Sequence, residues 1–284
     1  MAVKDKKEAG ENPLVPNAKL RAMYVAMIEA RTLEDTATAK ARGKGRRLKL
    51  TSIRGQEAVR TSTAIELGAD DLISDYAPSA GMGSILGDDP IGLLKAFSSG
   101  KNKKIPRLLP TIEDSEQRVE MAIGAALALK TQGRQGVVVV YIGKNELSSQ
   151  AYARLLKPAA HYELPIIFVV LPGMSRRKDD DDLAVVAKMA GKSGVPGIPV
   201  DSCDAVALYR VTQESLGRTR SGDGPVLIEC VFWPTARNSK SALSDPMEHM
   251  EQFLLGRKIV TPAWLKQASK AARRRLKTIR RASK

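Results

Sequence analysis

Cysteine, histidine and aromatic residues are scarce in this chain of 284 residues. Its two cysteines, Cys203 and Cys230, form no C-x-x-C pair, which argues against a disulfide scaffold or a zinc site and points to a reducing cytoplasm. Two histidines, His161 and His249, are too few for a histidine-rich catalytic or metal cluster. No apolar run approaches the roughly 20 residues needed to span a bilayer, so no membrane contact is expected. The opening MAVKDKKEAGENP is charged and leads into no apolar stretch, so it does not read as a signal peptide. Acid is missing from one end: no Asp or Glu follows Glu251, against eleven basic residues from Arg257 to Lys284.

That imbalance contributes to a formal net charge of +15. A second basic block, Lys40, Arg42, Lys44, Arg46, Arg47, Lys49 and Arg54, has no acid among its members. Such blocks attract polyanions or acidic partner surfaces, or simply keep a surface solvated. On the C-terminal segment the cations available to a polyanion are Arg273, Arg274, Arg275, Lys277, Arg280 and Arg281. No aromatic follows Trp264, so the segment lacks a base-stacking platform.

Periodicity gives the architecture. VVVVYI at 137–142, IIFVV at 166–170 and PVLIECVF at 225–232 are β-branched apolar runs, as parallel strands covered on both faces require. DLISDY at 71–76 and GIPV at 197–200 predict two shorter strands. Helices are predicted from Asn17 to the Gly43-Lys44-Gly45 terminator and over 58–67, 117–132, 148–162, 182–191 and 204–220. Pro158 is expected to end or kink its helix. The small residues Gly124 to Ala128 are expected to allow close packing. Thr261–Lys284 predicts a basic helix begun by Thr-Pro. Alternating strands and helices argue for an α/β fold with a mainly parallel sheet flanked by helices. Three segments are expected: a disordered stretch over 1–16, an α/β domain over 17–256 and a basic helical tail over 257–284.

Several conspicuous patterns carry little. MSRRKDDDD at 174–182 holds four consecutive aspartates, but adjacent side chains diverge, so the run reads as solvated surface. Ser221-Gly222-Asp223-Gly224 reads as a turn between a helix and a strand. Gly81, Gly83 and Gly87 lack the strand and spacing of a dinucleotide loop. Cys230, inside an apolar strand, reads as an inert core thiol.

The ordered segments LRAMYVAMIEARTLED, IRGQEAV, MAIGAALALKTQG, HYELPIIFVV, ALYRVTQESLGRTRSGDGPVLIECV and DPMEHMEQFLLGRKIVT span roughly residues 18–265. Together they resemble the alpha subunit of the first, decarboxylating component of 2-oxo acid dehydrogenases, of the pyruvate dehydrogenase type. The resemblance implies a thiamine-diphosphate-binding fold, Mg²⁺ bridging to the diphosphate, and a beta-type subunit that shares the cofactor in an α₂β₂ assembly. The family's Gly-Asp-Gly after the strand is here Gly143-Lys144-Asn145, and its Asn-Asn after the next strand is Pro172-Gly173. A tyrosine that usually follows is Ser175. Tyr-Arg-x-His-Gly appears as Tyr76-Ala77-Pro78-Ser79-Ala80-Gly81, and Gly-His-Ser as Arg237-Asn238-Ser239, so Ser79 and Asn238 stand at lost-histidine positions.

The resemblance therefore implies degenerate cofactor positions at Tyr76, Gly143, Lys144, Asn145, Gly173 and Ser175, and it assigns no catalytic residue and no Mg²⁺ site. Three readings follow. The first is a pseudoenzyme with impaired or lost thiamine diphosphate binding that keeps a scaffold or partner-binding role, as a homo-oligomer or with a beta-type subunit. The second is an active decarboxylase subunit in which Lys144 replaces the metal, since an ammonium can hold a phosphate. The third is a polyanion or nucleic-acid binding module built on the basic tail.

Overall fold

The computed structural model describes residues 11–42, 52–76, 79–90, 92–93, 95, 105, 107–173, 184–232 and 245–281. Five parallel strands form one sheet in the order β1-β2-β3-β5-β4: β1 (Leu72–Ser74), β2 (Val138–Gly143), β3 (Ile166–Leu171), β4 (Gly197–Asp201) and β5 (Val226–Val231). The expected α/β class with a parallel sheet flanked by helices is borne out. Alternation along the buried strands builds two cores. Val139, Tyr141, Ile167, Val169 and Ile228 face one layer of helices. That layer is α1 (Asn17–Arg42), α2 (Glu57–Ala64), α7 (Ala205–Arg220), α8 (Pro246–Gly256) and α9 (Pro262–Arg281). Val138, Val140, Phe168, Val170 and Leu227 face the other layer, α4 (Ser115–Thr131), α5 (Ser149–His161) and α6 (Val185–Lys192). A short helix, α3 (Ala80–Ile85), packs beside α1 at the β1 edge.

Local chemistry sets the helix ends. Asp114, Ser148, Asp204 and Asp245 each accept a backbone N–H from the first turn of α4, α5, α7 and α8, satisfying donors that a helix leaves open. Pro158 does not end α5, which runs on to His161. Only the Arg154 carbonyl loses its donor there, on an exposed residue two turns from the helix end. In α4, Ala122 and Ala126 are buried against the sheet, whereas Gly124 is exposed and a side chain there would meet open space. Gly197 is where close approach is real: a Cβ would lie 2.2 Å from the Ala187 carbonyl oxygen of α6, so only glycine lets that helix sit against β4.

Two observations concern the chain ends. Disorder was expected over 1–16; residues 1–10 lie outside the described residues, but 11–16 are placed. Val15 is fully buried in the core, Asn12 Oδ1 accepts from Leu14 N and Val15 N, and Glu11 Oε1 accepts from Asn17 N at 2.6 Å. One buried valine and this local network tie the segment to the start of α1. The basic C-terminal helix is not a free appendage either. Leu265 and Ala272 of α9 are buried, the Trp264 ring lies 5.8 Å from that of Tyr24, and Arg275 pairs with Glu29 at 2.9 Å. No described helix is long and apolar enough to cross a membrane.

Candidate functional site

Parallel sheets present ligand crevices outside the carboxyl ends of their strands, and there the structure gathers most of the residues singled out above. Gly143 ends β2 in register with Leu171 of β3, and Gly173 lies two residues further on. Tyr76 follows β1, whose Ser74 pairs with Val140 of β2. Tyr76, Gly143, Lys144, Asn145 and Gly173 therefore sit at the same end of three adjacent strands. Ser175 and Asn238 lie outside the described residues, as does the aspartate run.

The turn after β2 is closed by Glu146 N donating to Gly143 O at 3.0 Å. Lys144 is half-buried in it and Asn145 is exposed. The Glu146 side chain folds back over Gly143: a Cβ on that glycine would lie 3.0 Å from Glu146 Cγ, Cδ and Oε1. From there Glu146 accepts a hydrogen bond from Arg118 Nη2. Arg118, on α4, is fully buried, and Nη2 also lies 3.4 Å from Tyr141 O. Among the described residues its Nε and Nη1 have no hydrogen-bond partner. Tyr76, 48% exposed, presents its ring 5.7 Å from the guanidinium carbon. Ser79, at a lost-histidine position, instead caps α3, its Oγ accepting from Met82 N at 2.9 Å.

Beneath Tyr76 lies a second buried pair, Arg60 with Asp75. The Arg60 guanidinium lies 4.0 Å from the centroid of the Tyr141 ring, whose hydroxyl shares a hydrogen bond with Thr63 at 2.7 Å. Burial pushes the Tyr141 phenol up to about 12, so it stays protonated at neutral pH. Glu34 of α1 is buried and accepts from Ser52 Oγ and Ile53 N, both at 2.9 Å; burial raises its carboxyl above the usual range. The thiols do not act here. Burial raises Cys203 to about 11 and Cys230 higher still, which suppresses the reactive thiolate. His161 is exposed and packs edge-on against Tyr162 at 4.8 Å, while His249 is half-buried on α8.

Sequence reasoning missed Arg118, Glu146, Arg60 and Asp75 as site residues. A signal was present for one of them. Arg118, Val119, Ala122, Ala126 and Leu129 share the buried face of α4, so the arginine is a lone charge on an apolar stripe. The donor inventory at the strand ends is short. Lys144 offers an ammonium, Gly173 no side chain and Asn145 one amide oxygen. Among the described residues no three His, Cys, Asp or Glu side chains converge.

The family model for the dehydrogenase E1 component matches residues 25–252, and the chain belongs to that family. It is 33% identical over 147 residues to the pyruvate dehydrogenase E1 component subunit alpha of Staphylococcus aureus, covering 48% of this chain and 40% of that one. To the 3-methyl-2-oxobutanoate dehydrogenase subunit alpha of Mycobacterium tuberculosis it is 27% identical over 247 residues, covering 84% of this chain and 66% of the relative. The matches thus span two-fifths to two-thirds of these relatives' length. A solved structure described as a thiamin diphosphate-dependent enzyme from Mycobacterium smegmatis aligns over 66% of this chain and 32% of its own. Its TM-score is 0.41 and its identity 19%.

Proposed function

We propose that this chain is an alpha-type member of the E1 component family that has kept the scaffold and lost the Mg²⁺–thiamine diphosphate site. The donor set at the carboxyl ends of β1, β2 and β3 carries this reading. Mg²⁺ demands near-octahedral oxygen coordination, normally including carboxylate. Of the metal positions that the resemblance assigns, Lys144 offers an ammonium and Gly173 no side-chain oxygen, and the nearby Glu146 carboxylate is engaged by Arg118. These residues do not fit the ion. At the lost-histidine position Ser79 is committed to a helix cap, and a serine hydroxyl does not exchange protons near neutral pH as an imidazole does. What persists is a folded α/β body suited to a homo-oligomer or to a beta-type subunit.

The test is the native mass of the complex drawn gently from its own cells, with thiamine diphosphate counted per chain. The expected result is an oligomer or partnered complex with far less than one cofactor per chain. One cofactor per chain, with turnover that survives EDTA, would instead favour the decarboxylase in which Lys144 replaces the metal.

A second reading rests on α9. Because its apolar side is spent on α1, Lys266, Lys270, Arg273 and Arg274 are exposed on the outside. That arrangement suits contact with a polyanion. Binding to a duplex should then weaken steeply with salt, by about 0.9 in the log–log slope for each phosphate neutralised. Replacing Arg273 and Arg274 together by alanine should lower the slope by up to about 2. Binding indifferent to salt, or unchanged in the double variant, would dispose of the idea.

A further inference from the structure

We propose that Arg118 marks an oxyanion site which the chain fills with its own Glu146 carboxylate, so that Glu146 acts as an internal latch. The inference rests on the reading above and deepens it. It says what took the place of an external ligand at the end of β2.

A guanidinium offers five N–H donors in a planar fork suited to two oxygens at once. Arg118 is fully buried, yet among the described residues only its Nη2 is engaged, by Glu146 and more weakly by Tyr141 O; Nε and Nη1 are unmet there. Buried donors are nearly always satisfied, so two orphaned nitrogens on one guanidinium point to a missing acceptor. Glu146 is an imperfect substitute. It reaches one nitrogen rather than the fork, and its side chain remains 30% exposed at the rim. It can lie there because Gly143 has no Cβ to obstruct it. The Tyr76 ring, which follows β1 and is 48% exposed, flanks the guanidinium with its centroid 5.7 Å from the guanidinium carbon. A tetrahedral phosphoryl group could offer oxygens to Nε and an Nη together, which a single well-placed carboxylate oxygen does not. The same geometry keeps such a group out while Glu146 is seated. Two anions cannot share one buried cation without strong repulsion.

The experiment titrates inorganic pyrophosphate calorimetrically into the full-length wild type, Glu146→Gln and the double variant Glu146→Gln/Arg118→Met. Glutamine keeps the shape and one acceptor for Arg118 while removing the competing charge. Glu146→Gln is expected to bind pyrophosphate at least about tenfold tighter than wild type, and Arg118→Met on that background to erase the gain. Equal affinity in wild type and Glu146→Gln overturns the proposal. So does a gain that survives Arg118→Met, since it then belongs to the basic surface. Inorganic phosphate and thiamine diphosphate, run in parallel, distinguish a free phosphate from a cofactor diphosphate as the source of the anion. Should Glu146→Gln not fold, Glu146→Asp draws the charge back by one methylene and must also tighten pyrophosphate, about threefold or more; no tightening overturns the latch. The two readings fail separately. Wild type holding one thiamine diphosphate per chain sinks the scaffold reading, whereas an empty wild type whose variants gain nothing sinks only the latch.

Discussion

Asp75→Ala is expected to destabilise the chain by about 3–5 kcal/mol, the range for stranding one member of a buried ion pair. Arg60 and Asp75 are 1% and 3% exposed, so no water can replace the lost carboxylate. Arg60 would keep a hydrogen bond from Nε to Gln56 Oε1 at 3.2 Å and its place over the Tyr141 ring, neither of which neutralises it. Asp75 Oδ1 also accepts from Tyr76 N at 2.8 Å, so the substitution frees the backbone at the edge of the candidate site. Urea unfolding checks this as a lowered midpoint at unchanged slope. A loss under about 1 kcal/mol would mean that Arg60 finds other solvation. Replacing Arg60 and Asp75 together by apolar residues is expected to recover most of the loss, because breaking a pair is costlier than removing it.

A loss of similar size is expected for Arg31→Met, with a distinctive response to acid. Arg31 ties three helices together. From α1 its Nε donates to Glu57 Oε1 of α2 at 2.6 Å, and its two terminal nitrogens donate to Asp245, at the start of α8, at 2.7 and 2.8 Å. Glu57 is fully buried, and without Arg31 the hydrogen bond left to its carboxylate among the described residues is that from Gly55 N, at 2.8 Å. Methionine keeps much of the volume but none of the donors, so about 3–5 kcal/mol should be lost at neutral pH, most of it at Glu57. Asp245 supplies the pH signature. The Arg31 hydrogen bonds hold its carboxyl below the usual value of 3.8. A depressed carboxyl contributes stability that is present above the unfolded value and lost as pH falls through the folded one. The wild type should therefore lose stability in this window below about pH 4 more steeply than Arg31→Met. Asp245 is 44% exposed, so solvent screens its share and the convergence of the two curves should be modest. Unfolding curves collected from pH 7 down to 3 measure both effects. Parallel curves would remove Asp245 from the account.

The sequence carried the sheet well because two-sided burial leaves a local mark. Val137 to Ile142, Ile166 to Val170 and Val226 to Val231 are apolar at nearly every position, which few other environments demand. Strand order left no such mark: β5 lies between β3 and β4, a relation fixed by packing rather than by neighbouring residues. Pro158 did not end α5: the helix gives up one backbone hydrogen bond there and closes three residues later. At the site, motif comparison drew the eye to Lys144, the altered residue in an otherwise familiar place. The buried charge that organises this end of the sheet is Arg118, whose partner lies 28 positions away. The buried ion pair Arg60–Asp75 and the partly exposed pair Arg31–Asp245, the latter 214 positions apart, are joined only by the folded chain. Each member, read alone, looks like an ordinary surface charge.

The seating of α9 on α1 also orders events in time. Glu29 and Arg275 meet across 246 positions of sequence. On a ribosome adding roughly 5–20 residues per second, the first helix waits on the order of 10–50 s for the last one to be made. For that interval the surface around Tyr24 stays wet, and the nascent protein is most open to capture by chaperones or by a second copy of itself.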